Sequence, residues 1–228
     1  MLEKPTVIAV DGPAGSGKST AAKQVAQRLG FAYVDSGALY RAYTLACLRQ
    51  AVPLDDPAAV AAVVAKSRVQ LENHPEGCRV FLNGEDVTGE IRSPAVTASV
   101  STVAEYSAVR EAVNRQLRET AEKFSVVVDG RDIGTAVFPD ADLKIYLEAS
   151  VEERARRRYE ELRAAGREVD LEEIKQDIER RDRHDANRSV APLSKAPDAV
   201  VLDTTEMTPE DVVAFIVEKA LDLHSAKV

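Results

Sequence analysis

An apolar strand pattern that runs into a glycine-rich turn and then a helix constrains this chain more than any other feature. Val7-Ile8-Ala9-Val10 is apolar on both faces and partly β-branched, as in a strand covered on both sides within a parallel sheet. Asp11-Gly12-Pro13 ends it as a turn. Gly12-Pro13-Ala14-Gly15-Ser16-Gly17-Lys18-Ser19 then fits G-x-x-x-x-G-K-[ST] without a mismatch. From Ser19 to Leu29 the residues Ala22, Val25, Ala26 and Leu29 fall at helical spacing, and Gly30 follows as a C′ residue. In that setting glycines let successive main-chain N–H groups curl around an anion, and the helix N-terminus adds its partial positive charge. Lys18 can reach the β- and γ-phosphates of a nucleoside triphosphate, and Ser19 offers a hydroxyl to Mg2+.

Further short strands are readable at Phe31 to Asp35, Val126 to Asp129, Leu143 to Leu147 and Ala199 to Leu202, with helix predicted between them. This alternation means an α/β fold with a parallel sheet covered by helices. The stretch from Arg68 to Val87 reads differently. Val69/Leu71 and Val80/Leu82 alternate with polar residues, and Asn83-Gly84 is a two-residue hairpin signal, so a small antiparallel insert is expected there. From Ala149 to Arg188 the chain is densely charged, with Val151, Ala155 and Leu162 as a thin apolar stripe and a break at Ala164-Ala165-Gly166. Helices that bury so little are expected to be mobile. Thr208-Pro209-Glu210-Asp211 combines an N-cap, a proline at N1 and acidic first-turn residues, opening a last helix that carries Val212, Val213, Ile216 and Leu221.

At 228 residues the expectation is one domain, with a core of about 5–66 and 95–228, an insert of about 67–94 and a lid of about 150–190. The net charge of −8 repels nucleic acid backbones, so an anionic ligand needs a locally basic pocket. Cys47 and Cys78 form no C-x-x-C pair, and His74, His184 and His224 are equally scattered, which leaves a zinc cage unsupported. The run Val7 to Val10 is too short for a signal-peptide core and no apolar run approaches a membrane span; the protein is expected to be cytoplasmic, with no membrane or nucleic acid partner.

A phosphate loop alone does not separate a phosphoryl transferase from a switch or motor. No N-K-x-D guanine signature occurs. Asp129 closes the apolar run Val126-Val127-Val128, where an acid would hold Mg2+ through water, with a helix N-cap as the alternative reading. Arg41, Arg92, Arg110, Arg131, Arg181 and Arg188 lie at predicted loops, element ends or polar helix faces, where a guanidinium fork suits a second phosphate. Asp129-Gly130-Arg131-Asp132 puts one guanidinium and two carboxylates at a strand's C-terminal edge, where parallel sheets bind ligands. Arg181, Asp185 and Arg188, at i, i+4 and i+7, form either a stripe facing a partner or ordinary surface lacing. Glu152/Arg156, Glu153/Arg157 and Glu179/Arg183 read as lacing, while Arg154, Arg157 and Arg158 are candidates in a lid over ATP.

Five segments together resemble the bacterial cytidylate kinase family over almost the whole chain: Asp11 to Lys18, Asp35-Ser36-Gly37-Ala38-Leu39-Tyr40-Arg41, Asn83 to Arg92, Asp129-Gly130-Arg131-Asp132-Ile133-Gly134-Thr135, and Arg181 to Arg188. The resemblance implies a three-layer nucleoside-monophosphate kinase fold with a five-stranded parallel sheet, helices on both faces, the antiparallel insert and a helical lid. It implies ATP-dependent phosphorylation of CMP and dCMP by a monomer with Mg2+. By the same resemblance Gly12, Pro13, Ala14, Gly15, Ser16, Gly17, Lys18, Ser19 and Thr20 would bind ATP. Ser36, Ser101, Arg110 and Asp132 would surround cytosine, with Tyr40 packed nearby. Arg181 and Asp185 would hold the ribose, and Arg41, Arg131 and Arg188 the CMP phosphate. Lys18, Arg131 and Arg188 would serve transfer, and Ser19 and Asp129 the metal; relatives often carry Gly-Thr where this chain has Ser19-Thr20, so either hydroxyl is a candidate for the metal. Other acceptors (AMP, shikimate, pantothenate) and an acceptor-free regulatory ATPase remain the alternatives.

Overall fold

The computed structural model describes residues 5–74, 77–187 and 190–225. Two compact units emerge, one built from Ala32–Val126 and one from Thr6–Phe31 with Val127–Val228.

In the first unit, strand β2 (Ala32–Asp35) leads into helix α2 (Ser36–Arg49), whose N-cap Asp35 accepts a hydrogen bond from the Ala38 N–H at 2.9 Å. Helix α2 is buried around most of its circumference, from Ala38 and Leu39 through Ala42 and Leu45 to Cys47. Such a helix belongs in a core rather than on a surface. Helices α3 (Pro57–Lys66), α4 (Pro94–Val103) and α5 (Ser107–Ala121) pack against it. Asp56 and Ser93 cap α3 and α4, each followed by proline at the first helical position.

The expected antiparallel insert is present as β3 (Val69–His74), β4 (Gly77–Leu82) and the two-residue β5 (Glu85–Asp86). Asn83-Gly84, with φ of 54° and 88°, closes the short β4–β5 hairpin, pairing Leu82 with Glu85. The longer pairing, Val69 with Leu82 through His74 with Gly77, is made by β3 and β4. Val69, Val80 and Leu82 are buried, as the alternation requires.

The second unit holds β1 (Val7–Asp11), α1 (Lys18–Leu29), β6 (Val126–Gly130), β7 (Leu143–Glu148), α6 (Val151–Ala164), α7 (Leu171–Asn187), β8 (Val200–Asp203) and α8 (Pro209–Ser225). The expected five-stranded parallel sheet has the order β2-β6-β1-β7-β8, with β1 pairing β7 from Ile8–Leu143 to Asp11–Tyr146. Ile8, Ala9, Val10 and Val126 to Val128 have no exposed surface, and each such valine or isoleucine contributes about 1.5–3 kcal/mol by burial. Gly30 caps α1 in the left-handed region at φ 70°, as the sequence predicts. At the start of α8 the Thr208 hydroxyl accepts from the Asp211 N–H at 3.2 Å and the Asp211 carboxylate accepts from the Thr208 N–H at 3.1 Å.

Two expectations need correction. In α8 the buried stripe is Val212, Val213, Ile216 and Ala220, while Leu221 is 55% exposed. Leu221 follows Ala220 by one residue, about 100° further around the helix, and leaves the packed face. In α6, Glu152 pairs with Lys175 at 2.8 Å rather than with Arg156, which takes Glu153 and Glu160 instead. The thin stripe of α6 is completed by α7: Ala155 packs with Ile174 and Ile178, flanked by Val151, Tyr159, Leu162 and Val169.

Candidate active site

The phosphate loop lies between β1 and α1. Gly12, Gly15 and Gly17 all have positive φ. At Gly12 the requirement is absolute in space as well as torsion, because a Cβ there would stand 2.0 Å from the Leu147 carbonyl oxygen of β7. Two side chains of the loop turn back on it: the Lys18 ammonium donates to the Pro13 carbonyl at 2.7 Å and the Ser16 hydroxyl to the same oxygen at 3.1 Å. Lys18 is 5% exposed, and its pKa is pushed down to about 7, first by burial and then by Arg131, with Asp129, Asp11 and Asp185 pulling the other way.

Asp129 is a strand residue of β6, not a helix cap, and its carboxylate accepts from the Ser19 hydroxyl at 2.6 Å. Of the two adjacent hydroxyls, that of Ser19 is therefore the one joined to the acid. The pair sets two oxygen donors together at the first turn of α1, the ligand chemistry that Mg2+ takes alongside phosphate oxygens and water. Among the described residues no group of three or more His, Cys, Asp and Glu side chains forms a metal cage, and a phosphate-bound Mg2+ needs none.

The C-terminal end of β6 carries the next two candidates. Arg131 Nε donates to Asp185 of α7 at 3.1 Å, and both side chains are largely covered. Asp132 is 4% exposed. Arg181, one turn before Asp185, has its Nε buried without a hydrogen-bond partner, and burial and then the Arg131 charge depress its pKa. So the structure joins Arg131 with Asp185 and sets Arg181 on the same helix, whereas Arg188 lies outside the described residues.

The three lid arginines separate sharply. Arg154 is buried and donates to the carbonyls of Ala149 and of Ala14 in the phosphate loop, both at 3.0 Å, while pairing with Asp182 of α7 at 2.7 Å. Arg157 bonds Glu153 at 2.8 Å and the Thr204 carbonyl at 2.5 Å. Arg158 makes a surface pair with Glu161 at 2.7 Å. Spacing on α6 cannot tell these three apart; what distinguishes Arg154 is a carbonyl 140 positions earlier in the chain. Thr204, whose hydroxyl donates to the Glu148 carbonyl at 3.1 Å and lies 3.4 Å from the Ser16 carbonyl of the loop, carries no sequence signal.

In the first unit the remaining candidates stand on three helices. Ser36 opens α2 and is 3% exposed. Arg41 donates to the Ile91 carbonyl at 3.3 Å and to the Thr97 hydroxyl of α4 at 2.9 Å. Arg110 of α5 is buried, donates to the Ala104 carbonyl at 3.4 Å and lies 5.9 Å over the ring of Tyr40, so these two candidates meet. Ser101 is half-buried on α4. Arg92 is instead a surface residue, 3.5 Å from Asp35.

A solved structure described as an uncharacterized protein from Eubacterium ventriosum superposes with a TM-score of 0.53 at 13% identity, covering 94% of this chain and 97% of that one, and so shares the fold. Cytidylate kinase of Geobacillus thermodenitrificans is 51% identical over 217 residues, covering 95% of this chain and 97% of the relative. Cytidylate kinase of Caldanaerobacter subterraneus subsp. tengcongensis is 49% identical, covering 96% of each. That of Desulfitobacterium hafniense is also 49% identical, over 227 residues, 100% of this chain and 96% of its own. The family profile described as cytidylate kinase matches residues 8–222, which takes in the phosphate loop, the end of β6 and all of α7, and the chain belongs to the cytidylate kinase family.

Proposed function

We propose that the chain transfers the γ-phosphoryl group of ATP to CMP and dCMP, yielding ADP with CDP or dCDP, as a step of pyrimidine nucleotide metabolism. Membership of the family makes it a nucleoside-monophosphate kinase. The observation that carries the reading is the end of β6: Asp129 bonds Ser19 of the donor loop, and the next residues but one, Arg131 and Asp132, bring a guanidinium and a buried carboxylate suited to a second nucleotide.

In the proposed reaction an oxygen of the CMP phosphate attacks the γ-phosphorus in line, and the bond to the bridging β–γ oxygen breaks as ADP leaves. Lys18 would sit on the β- and γ-phosphates, where their charge returns its ammonium to the protonated form that burial alone disfavours. When bound, Mg2+ would supply neutralisation of charge on those oxygens, held by the Ser19 hydroxyl and, through water, by Asp129. Arg131, Arg41 and Arg188 are assigned to the acceptor phosphate, and Arg181 and Asp185 to its ribose. The 3.1 Å approach of Arg131 to Asp185 supports that division, since a nucleotide's 5′-phosphate and ribose are themselves adjacent. Transfer between two anions needs such cations to offset repulsion.

For the base, cytosine presents an exocyclic amine where uracil presents a carbonyl, so a carboxylate accepts from the first and repels the second. Asp132 is given that part, with Arg110 donating to N3 or O2 and Ser36 and Ser101 supplying hydroxyls. A cytoplasmic monomer acting on free nucleotides completes the proposal; among the described residues no helix is long and apolar enough to cross a membrane.

Replacing Asp132 by alanine tests the base reading. A charge-assisted hydrogen bond left unmade costs about 1.5–3 kcal/mol, so the ratio of kcat/KM for CMP over UMP should fall by roughly 10- to 150-fold. A ratio within twofold of wild type would remove Asp132 from base recognition.

A further inference from the structure

Asp11 is the last residue of β1 and the residue before the phosphate loop, and it is 5% exposed. Its carboxylate hydrogen-bonds outside the loop. One carboxylate oxygen accepts from the Ile133 N–H at 2.8 Å and the other from the Gly134 N–H at 2.7 Å. Those two residues open a single wide helical turn, Ile133–Val137, whose Phe138 N–H reaches back five residues to the Ile133 carbonyl, and it follows immediately on Arg131 and Asp132. The turn is closed over from its other side by β7. A Cβ on Gly134 would stand 3.1 Å from Lys144 Cδ and 3.3 Å from the Asp11 carboxylate, so any larger residue would press on both side chains. The Lys144 ammonium is in turn held by Asp198 at 2.8 Å and by the Pro139 carbonyl. The segment from 133 to 139 is thus pinned at its start by Asp11 and at its end by Lys144.

We infer that Asp11 is a positioning residue for the acceptor: its two hydrogen bonds to Ile133 and Gly134 fix Arg131 and Asp132 relative to the first residue of the phosphate loop. The inference rests on the acceptor roles proposed above for Arg131 and Asp132. A buried carboxylate is suited to the task because it accepts twice and donates nothing. Burial lifts its pKa to about 6, aided by the nearby Asp132 charge and opposed by the two N–H groups and by Lys18. At pH 7.5 it is therefore ionised, with both oxygens available. Acceptor and donor must be aligned to within a fraction of an ångström, and a 1 Å misplacement of a reacting group can cost about 100-fold in rate.

The test compares Asp11→Asn and Asp11→Ala with wild type. The amide keeps one acceptor oxygen and turns an N–H₂ toward a main-chain N–H; alanine removes both acceptors. The readouts are KM for CMP, the CMP to UMP ratio of kcat/KM, and the Kd of ATP measured by calorimetry with no acceptor present. The expected result is a KM for CMP raised about 10-fold in the asparagine variant and about 100-fold in the alanine variant, a CMP to UMP ratio lowered in the same order, and a Kd for ATP within twofold of wild type. Unchanged KM and ratio in either folded variant would overturn the positioning role. So would a Kd for ATP that weakens in step with KM, or an Asp11→Asn protein that fails to fold, since each marks a general structural part. Wild-type enzyme that does not phosphorylate CMP would instead refute the functional reading on which the inference stands.

Discussion

Gly12 and Gly30 both hold positive φ, at 150° and 70°, yet replacing each by alanine should have very different effects. At Gly30 nothing lies within 4 Å of where the Cβ would be, so the cost is that of a left-handed residue alone, roughly 1–2 kcal/mol. At Gly12 the same kind of torsional cost, about 1–3 kcal/mol, is joined by a contact of 2.0 Å with a carbonyl oxygen of β7, which no rotamer change can relieve. Main chain must move, and overpacking of that kind adds about 1–3 kcal/mol. The sum, about 2–6 kcal/mol, is a large part of the roughly 5–15 kcal/mol that holds a typical domain folded. For a chain of this size it corresponds to a Tm lowered by about 10 °C, against about 3 °C at Gly30. Thermal unfolding of Gly12→Ala and Gly30→Ala, paired with calorimetric titration by ATP, measures both stability and the shape of the loop. Gly12→Ala should also lose ATP affinity, because β7 can be relieved only by displacing the loop. A Gly12→Ala protein as stable as Gly30→Ala, binding ATP as wild type does, would refute the steric argument.

The raised pKa of Asp11 has a consequence for stability against pH. A carboxyl that titrates near 6 in the folded chain and near 3.8 when unfolded favours the folded state below pH 3.8, and that contribution is lost as pH rises through 6, a change of about 3 kcal/mol. Urea unfolding of wild type and Asp11→Asn should therefore show wild type gaining relative stability as pH is lowered from 6.5 to 4.5, and a constant difference would contradict the burial of an ionised Asp11. Ser19→Ala removes the hydroxyl bonded to Asp129 and should raise the Mg2+ concentration for half-maximal activity by about 10-fold, whereas an unshifted Mg2+ titration would take Ser19 out of the metal site.

The features legible in the sequence are those whose physics is local. The phosphate loop, the Gly30 cap and the Thr208-Pro209 start of α8 are each set by a handful of consecutive residues, and the structure places all three where the pattern puts them. Asn83-Gly84 shows the limit of such a signal: it specifies a tight turn but not which strands the turn joins, and β3 rather than β5 supplies the longer partner of β4. Leu221 falls outside the buried face of α8 because that face is decided by what packs on it, and Ala220 serves it as well as a larger residue. Asp11 reads as a turn signal in sequence, and its role depends on N–H groups 122 and 123 positions away. Arg154 is hidden in the same way among identical neighbours on a charged helix. Sequence pattern finds residues that act on their neighbours, and long-range partners surface only when the sheet brings strand ends together.

The measurement that tests the central claim most directly is ADP release with Mg-ATP, run separately with CMP, dCMP, UMP, AMP, GMP and shikimate beside a control with no acceptor. Turnover should be fast with CMP and dCMP and slow with every other acceptor. Fast turnover on another acceptor, or hydrolysis of ATP that no acceptor accelerates, would contradict the account.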